Sequence, residues 1–241
     1  MLIAPAEILT SNGRLRRMVK SDSAAFSEMN ADPLVMEFFP RPWSLEESHA
    51  ALEKIEVGFA QRGFGIYALE CDEEFAGIVG LSVPTFDASF TPCVEILWRL
   101  LPRCWGRGLV SEAGAAVLKM AFQTLRMPEV VAFAAAGNVR SIRVMERIGM
   151  EWDRQKYFDH PAVTDIRFQR HVLYRATPET LRYRVTSNRE VAPKRRHFRV
   201  GDHPPGTHET VRNRSWKRAS GCSRQPKIMT GKIGPTYRYN L

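Results

Sequence analysis

The chain has 241 residues, with 35 Lys and Arg against 26 Asp and Glu and a net charge of +9, a length that admits one large domain or one of ordinary size with an appendage. Its four cysteines (Cys71, Cys93, Cys104, Cys222) show neither C-x-x-C pairing nor metal spacing with histidine, and no leader or long apolar run is visible; this argues against redox or zinc chemistry and a membrane span, and points to reduced thiols in a cytoplasmic protein. The charge is uneven: residues 1–175 carry 20 basic and 22 acidic side chains (−2), and residues 176–241 carry 15 and 4 (+11).

In chain order the patterns predict a mixed α/β domain. Residues 14–18 alternate as a short strand, and Asp22 is placed to cap a helix from Ser23 to about Asn30. Ser44-Leu45-Glu46-Glu47 has the form of a capping box, and Gly63 stands where a left-handed stop belongs, so Leu45–Arg62 reads as a helix. Residues 64–70 and 75–83 read as strands around the acidic turn Cys71-Asp72-Glu73-Glu74. A strand at 94–100 precedes a helix at 109–125, whose packing face is Leu109, Ala113, Ala116, Val117, Met120, Ala121 and Leu125. Val130–Ala135 is a strand, Asn138 caps a helix ending at Gly149, and residues 171–175 close the sheet. Beyond a boundary between Arg175 and Arg184, low hydrophobicity with high net charge predicts a disordered basic tail over 176–241.

The strand at 94–100 runs into Arg103-Cys104-Trp105-Gly106-Arg107-Gly108 and directly on into the Leu109 helix. Glycines without Cβ let a backbone meet a ligand closely, and the helix they feed offers unpaired N–H groups and a positive dipole end, which suits a pyrophosphate. Downstream, Asn138-Val139-Arg140-Ser141 precedes Val144-Met145-Glu146-Arg147-Ile148-Gly149-Met150. Arg103-x-x-Gly106-x-Gly108 resembles the Arg/Gln-x-x-Gly-x-Gly/Ala signature of the GNAT superfamily of acetyl-CoA-dependent N-acetyltransferases. The second run resembles that superfamily's N-x-x-S…(Y/M)-E-x-x-G-F/M, most closely in the RimJ/RimL-like branch, and weaker similarity extends the match over residues 8–175.

The resemblance implies a GNAT-like central mixed, mostly antiparallel sheet with flanking helices, in which the strands at 94–100 and 130–135 splay and acetyl-CoA lies between them. Pantetheine would run along Leu97, Trp98 and Arg99. Backbone N–H groups of Arg103, Cys104, Trp105, Gly106, Arg107 and Gly108, with Leu109, would hold the pyrophosphate, and Asn138 would contact coenzyme A.

Moving acetyl from a thioester to an amine needs a neutral amine, stabilisation of the oxyanion and a proton for the departing thiolate; holding the reactants together supplies much of the rate. Glu95, on the strand before the turn, is the candidate base. It reads equally as an exposed strand residue or a partner in an ion pair, and alternation leaves both open. Ser141 lies in the first turn of the helix capped by Asn138; its plain role is capping, and the resemblance adds that of acid to the thiolate. Many superfamily members have tyrosine where this chain has Met145, whose thioether cannot donate a proton. Asp153 ranks behind Glu95 as a base, and Asp159-His160 is a polar pair in a late loop.

The expected reaction is direct acetyl transfer in a ternary complex to a primary amine, either a small molecule or a protein N-terminus, without metal. The alternative is an inactive GNAT-like module that binds RNA or ribosomes through its basic tail, although the tail carries no RRM, KH or zinc-finger signature. Oligomeric state has no signal in the sequence.

Overall fold

The computed structural model describes residues 2–181, with the segment from 182 onward, including most of the predicted tail, outside the described residues. The elements are β1 (Glu7–Leu9), β2 (Arg14–Arg16), α1 (Ser23–Ala31), α2 (Leu45–Arg62), β3 (Ile66–Cys71), β4 (Glu74–Ser82), β5 (Glu95–Leu100), α3 (Leu109–Gln123), β6 (Val130–Ala135), α4 (Val139–Arg147), β7 (Glu151–Asp159), α5 (Ile166–Gln169) and β8 (Arg170–Ala176). The strands form one sheet in the order β1-β2-β3-β4-β5-β6-β8-β7. Every neighbour is antiparallel except β5 and β6.

The α2 capping box forms: Ser44 Oγ accepts from the Glu47 N–H at 3.2 Å, Glu47 accepts from the Ser44 N–H at 2.8 Å, and Gly63 ends the helix at φ 75°. The β3–β4 turn puts Asp72 and Glu73 at φ 53° and 62°, the left-handed pair of a tight hairpin whose twist matches its strands. Asp22 departs from expectation, because it precedes α1 without capping it. Its carboxylate instead takes the Arg16 guanidinium at 2.7 and 2.8 Å and the Val19 N–H at 2.9 Å, and a guanidinium fork is the stronger donor.

Alternation on β5 divides the two faces of the sheet. Arg99 reaches Asn30 of α1 on one side. On the other, Ile96 lies beneath Gly114 of α3, where an added Cβ would also meet Ile148 after α4 at 3.3 Å. The buried face of α3 includes Gly114, Leu118 and Phe122 besides Leu109, Ala113, Val117, Met120 and Ala121, while Ala116 is only half-buried and Leu125 lies beyond the helix end at Gln123. The fold also continues past Arg175: Ala176 is fully buried and pairs with Val130, and Leu181 packs on the core.

Candidate active site

β5 and β6 meet in parallel at one pair, Glu95 with Val131, reinforced by the Val131 N–H donating to the Val94 carbonyl at 2.9 Å. Beyond it their carboxyl-terminal halves make no further pair, so the sheet opens into a fork with Glu95 at its apex. A cavity of about 510 Å³ occupies the fork, running from the glycine turn and the start of α4 to the aromatic side chains of β6 and the late loops.

Gly106 and Gly108 stand at φ 76° and 79°, and a Cβ on either would meet nothing within 4 Å. Conformation and open space, rather than packing, ask for glycine here. The N–H groups of Cys104 and Trp105 are committed to the carbonyls of Leu101 and Pro102 at 2.9 and 3.1 Å, which leaves the cradle to Gly106, Arg107, Gly108, Leu109 and Val110. None of these five N–H groups has a backbone partner among the described residues. An open concave turn feeding a helix N-terminus fits a pyrophosphate.

Glu95, Leu97, Trp98, Arg99, Cys104, Trp105, Gly106, Gly108, Leu109, Asn138 and Ser141 all line the cavity. Arg103 and Arg107 do not. Arg103 turns to the Phe75 carbonyl and Glu28, and Arg107 pairs with Asp72 at 2.9 Å, both away from the cavity wall. Arg99, 9% exposed, donates to Asn30 Oδ1 at 2.6 Å and lies between the rings of Phe39 and Trp43. Asp153 is engaged elsewhere, accepting from Arg175 Nε at 3.0 Å, and is not part of the cavity wall.

Glu95 is half-buried, its remaining surface belonging to the cavity itself. Desolvation in the fork pushes its carboxyl up to about 8, with the Arg99 cation pulling the other way. Burial likewise lowers Arg99, whose guanidinium still keeps its charge at neutral pH. At the start of α4, Asn138 Oδ1 accepts the Ser141 N–H at 3.1 Å. That cap holds Ser141 at the cavity wall.

Sequence patterns do not flag His171, nor the part its neighbour His160 takes in the cavity. His171 of β8, in register with Ala135, has Nδ1 2.9 Å from the Gln169 carbonyl, which places the proton on Nδ1 and leaves Nε2 an acceptor. His160 accepts the Ala162 N–H on Nδ1 at 3.2 Å, and the two imidazoles are 5.0 Å apart. Both line the cavity at 8% exposure. Burial lowers both, His160 to about 4 with His171 adding to the effect. Arg140 is equally unmarked in the sequence: it stacks on Trp105 and pairs with Glu37. Only its helical spacing from Arg143 and Arg147, which also line the cavity, could signal it.

Residues 14–151 match the profile of the acetyltransferase (GNAT) domain. The Bacillus subtilis protein YkkB is 29% identical over 157 residues, 63% of this chain and 88% of that one. An FsC-acetyl coenzyme A-N(2)-transacetylase of Aspergillus fumigatus is 30% identical over 132 residues, 51% of this chain and 55% of that one. Among solved structures, RimL, a ribosomal-protein alpha-N-acetyltransferase in complex with coenzyme A, superimposes with a TM-score of 0.59 at 16% identity, over 74% of this chain and 99% of that one.

Proposed function

The chain belongs to the GNAT acetyltransferase family, and from that premise we propose that it moves acetyl from acetyl-CoA directly to a primary amine, both held in the β5–β6 fork. The observation that carries the reading is the single Glu95–Val131 pair, from which the cavity opens toward the glycine turn. The RimL complex with coenzyme A has the same fold. Acetyl-CoA supplies an activated acyl group as a thioester. The residues that hold it are the N–H groups from Gly106 to the start of α3 for the pyrophosphate, the β5 backbone at Leu97, Trp98 and Arg99 for the pantetheine arm, and Asn138.

The remaining chemistry belongs to this chain's side chains. Glu95, as carboxylate, accepts the proton that the amine loses, directly or through water, and its raised pKa brings its basicity closer to that of the amine. Ser141 donates a proton to the departing sulfur from the first turn of α4 and regains one through water, while Glu95 gives up the proton it took from the amine. The fork excludes bulk water and fixes the approach of the amine. Incubation with acetyl-CoA and a library of amines and peptides, followed by free-thiol release, tests the reading. A protein that neither releases thiol nor binds coenzyme A overturns it.

A further inference from the structure

The end of the cavity away from the glycine turn is walled by aromatic rings. Phe86, Phe133, His160 and His171 line it, with Phe90 and Phe158 packed behind. Phe133 touches every other member of the group, its ring centre lying 5.6 Å from Phe86, 6.1 Å from Phe90, 5.6 Å from Phe158, 5.9 Å from His160 and 6.3 Å from His171. These rings belong with a small cluster distinct from the main core, and Phe86, Phe133 and Phe158 remain only half-buried. Apolar surface left open inside a cavity gains stability when a ligand covers it.

The charge at this end points the same way. Among the described residues that line the cavity Glu95 is the one carboxylate, and Arg99 is turned to Asn30 and two aromatic faces. His160 and His171 favour their neutral forms at neutral pH, and so does Glu95. A polycation entering here finds no carboxylate array to replace its water, whereas an aromatic body finds ring faces and two imidazoles.

Resting on the transferase reading above, we infer that the acceptor is a small primary amine carried on an apolar body of aromatic size, seated against Phe86, Phe133, His160 and His171. The amine end meets Glu95 at the apex of the fork while the apolar body fills the aromatic end. A cavity of about 510 Å³ shared with the acyl arm has room for a body of that size.

The test uses the full chain with acetyl-CoA and four acceptors: phenethylamine, tryptamine, spermidine and a short peptide with a free N-terminal serine. Thiol release gives kcat/KM, and calorimetry with coenzyme A present gives the affinity of each amine. Phenethylamine or tryptamine is expected to exceed spermidine and the peptide by about tenfold or more in both measurements, the scale on which an apolar pocket discriminates. Phe133→Ala and Phe86→Ala are expected to erase most of that preference by raising KM, with coenzyme A affinity kept; Phe133→Ala also lowers the melting temperature because five rings pack on it, and Phe86, in the loop before β5, serves if that variant fails to fold. Faster transfer to spermidine or the peptide overturns the inference and leaves the transferase reading standing. Coenzyme A binding with thiol release from none of the four overturns the inference and leaves the transferase reading to the wider library of amines and peptides.

Discussion

Arg140 lies across Trp105 with its guanidinium carbon 4.6 Å from the ring centre, and also pairs with Glu37. One side chain thus ties the first turn of α4, the glycine turn and the loop between α1 and α2 around the mouth of the cavity. A stacked cation at an exposed site contributes about 0.5–1 kcal/mol. Arg140→Ala is therefore expected to weaken coenzyme A binding a few-fold, with kcat at saturating acetyl-CoA nearly unchanged. Calorimetry against steady-state rates checks the split; equal loss in both would place Arg140 in the chemistry instead.

Gly106 and Gly108 adopt left-handed backbone with open space above them. Gly106→Val or Gly108→Val imposes an unfavourable φ and fills the space a pyrophosphate needs. Either variant is expected to lose coenzyme A affinity, and the strained backbone position costs the folded state roughly 1–3 kcal/mol with or without ligand. Folded variants that bind as tightly as the parent would move the site elsewhere.

Glu95 makes two pH-dependent predictions. As a base with a carboxyl near 8, it acts in the deprotonated form, so kcat/KM is expected to climb through about pH 8. Glu95→Gln should remove that limb and cost about 100- to 10,000-fold. Ser141→Ala should lower kcat while coenzyme A affinity holds. The folded state also binds the Glu95 proton more tightly than the unfolded chain does. Between the ordinary carboxylate range and pH 8 the native state holds more protons, so this residue's contribution to stability falls as pH rises. The melting temperature of Glu95→Gln relative to the parent is expected to rise from pH 5 to pH 9; a flat difference would mean an unperturbed carboxylate.

Local rules make α2 legible from sequence alone, because its capping box and its left-handed stop lie within its own residues. The glycine turn and α4 are legible by resemblance, since their motifs are contiguous. β7 is not: Glu151-Trp152-Asp153-Arg154 opens a polar edge strand whose register with β8 shifts between Trp152 and Tyr157, so no clean alternation marks it. Asp22 misleads because its side chain is drawn to Arg16 on a neighbouring strand, a partner that no local pattern reveals. His171 is hidden for a similar reason. Its place in the cavity comes from its register with Ala135 across the sheet, and the state of its ring from the Gln169 carbonyl.

Arg16, Asp22 and Glu70 form a partly buried chain of ion pairs, with Arg16 reaching Asp22 at 2.7 Å and Glu70 at 2.7 Å. Burial alone would raise the Asp22 carboxyl, but bonds from Arg16 and the Val19 N–H outweigh it and hold it below the usual range. Asp22→Asn is expected to cost about 2 kcal/mol at neutral pH, the scale of hydrogen bonds to charged groups. A depressed carboxyl contributes stability above its unfolded pKa and loses it as pH falls through the folded value. The gap between parent and variant in urea unfolding should therefore close in acid; a gap that persists there would point to packing rather than charge.

The two ends of the chain's charge asymmetry can be separated by truncation. Residues after 175 carry +11 against −2 before, yet the fold uses the first few of them: Leu181 packs on the core, and Thr177 and Thr180 exchange hydrogen bonds at 3.0 and 3.3 Å. A stop after Arg184 is expected to keep acetyl transfer, coenzyme A affinity and melting temperature at the parent's values. A stop after Thr177 removes Leu181 and is expected to cost about 1–2 kcal/mol of stability, the scale of one partly buried leucine. If the removed basic segment serves as a polyanion anchor, the Arg184 truncation will also weaken binding to single-stranded RNA, by a margin that shrinks as salt rises, because each phosphate contact releases counterions. Identical RNA affinity in the full chain and the Arg184 truncation would rule out that anchor. Lost coenzyme A binding in the same truncation would show that residues beyond 184 complete the fold.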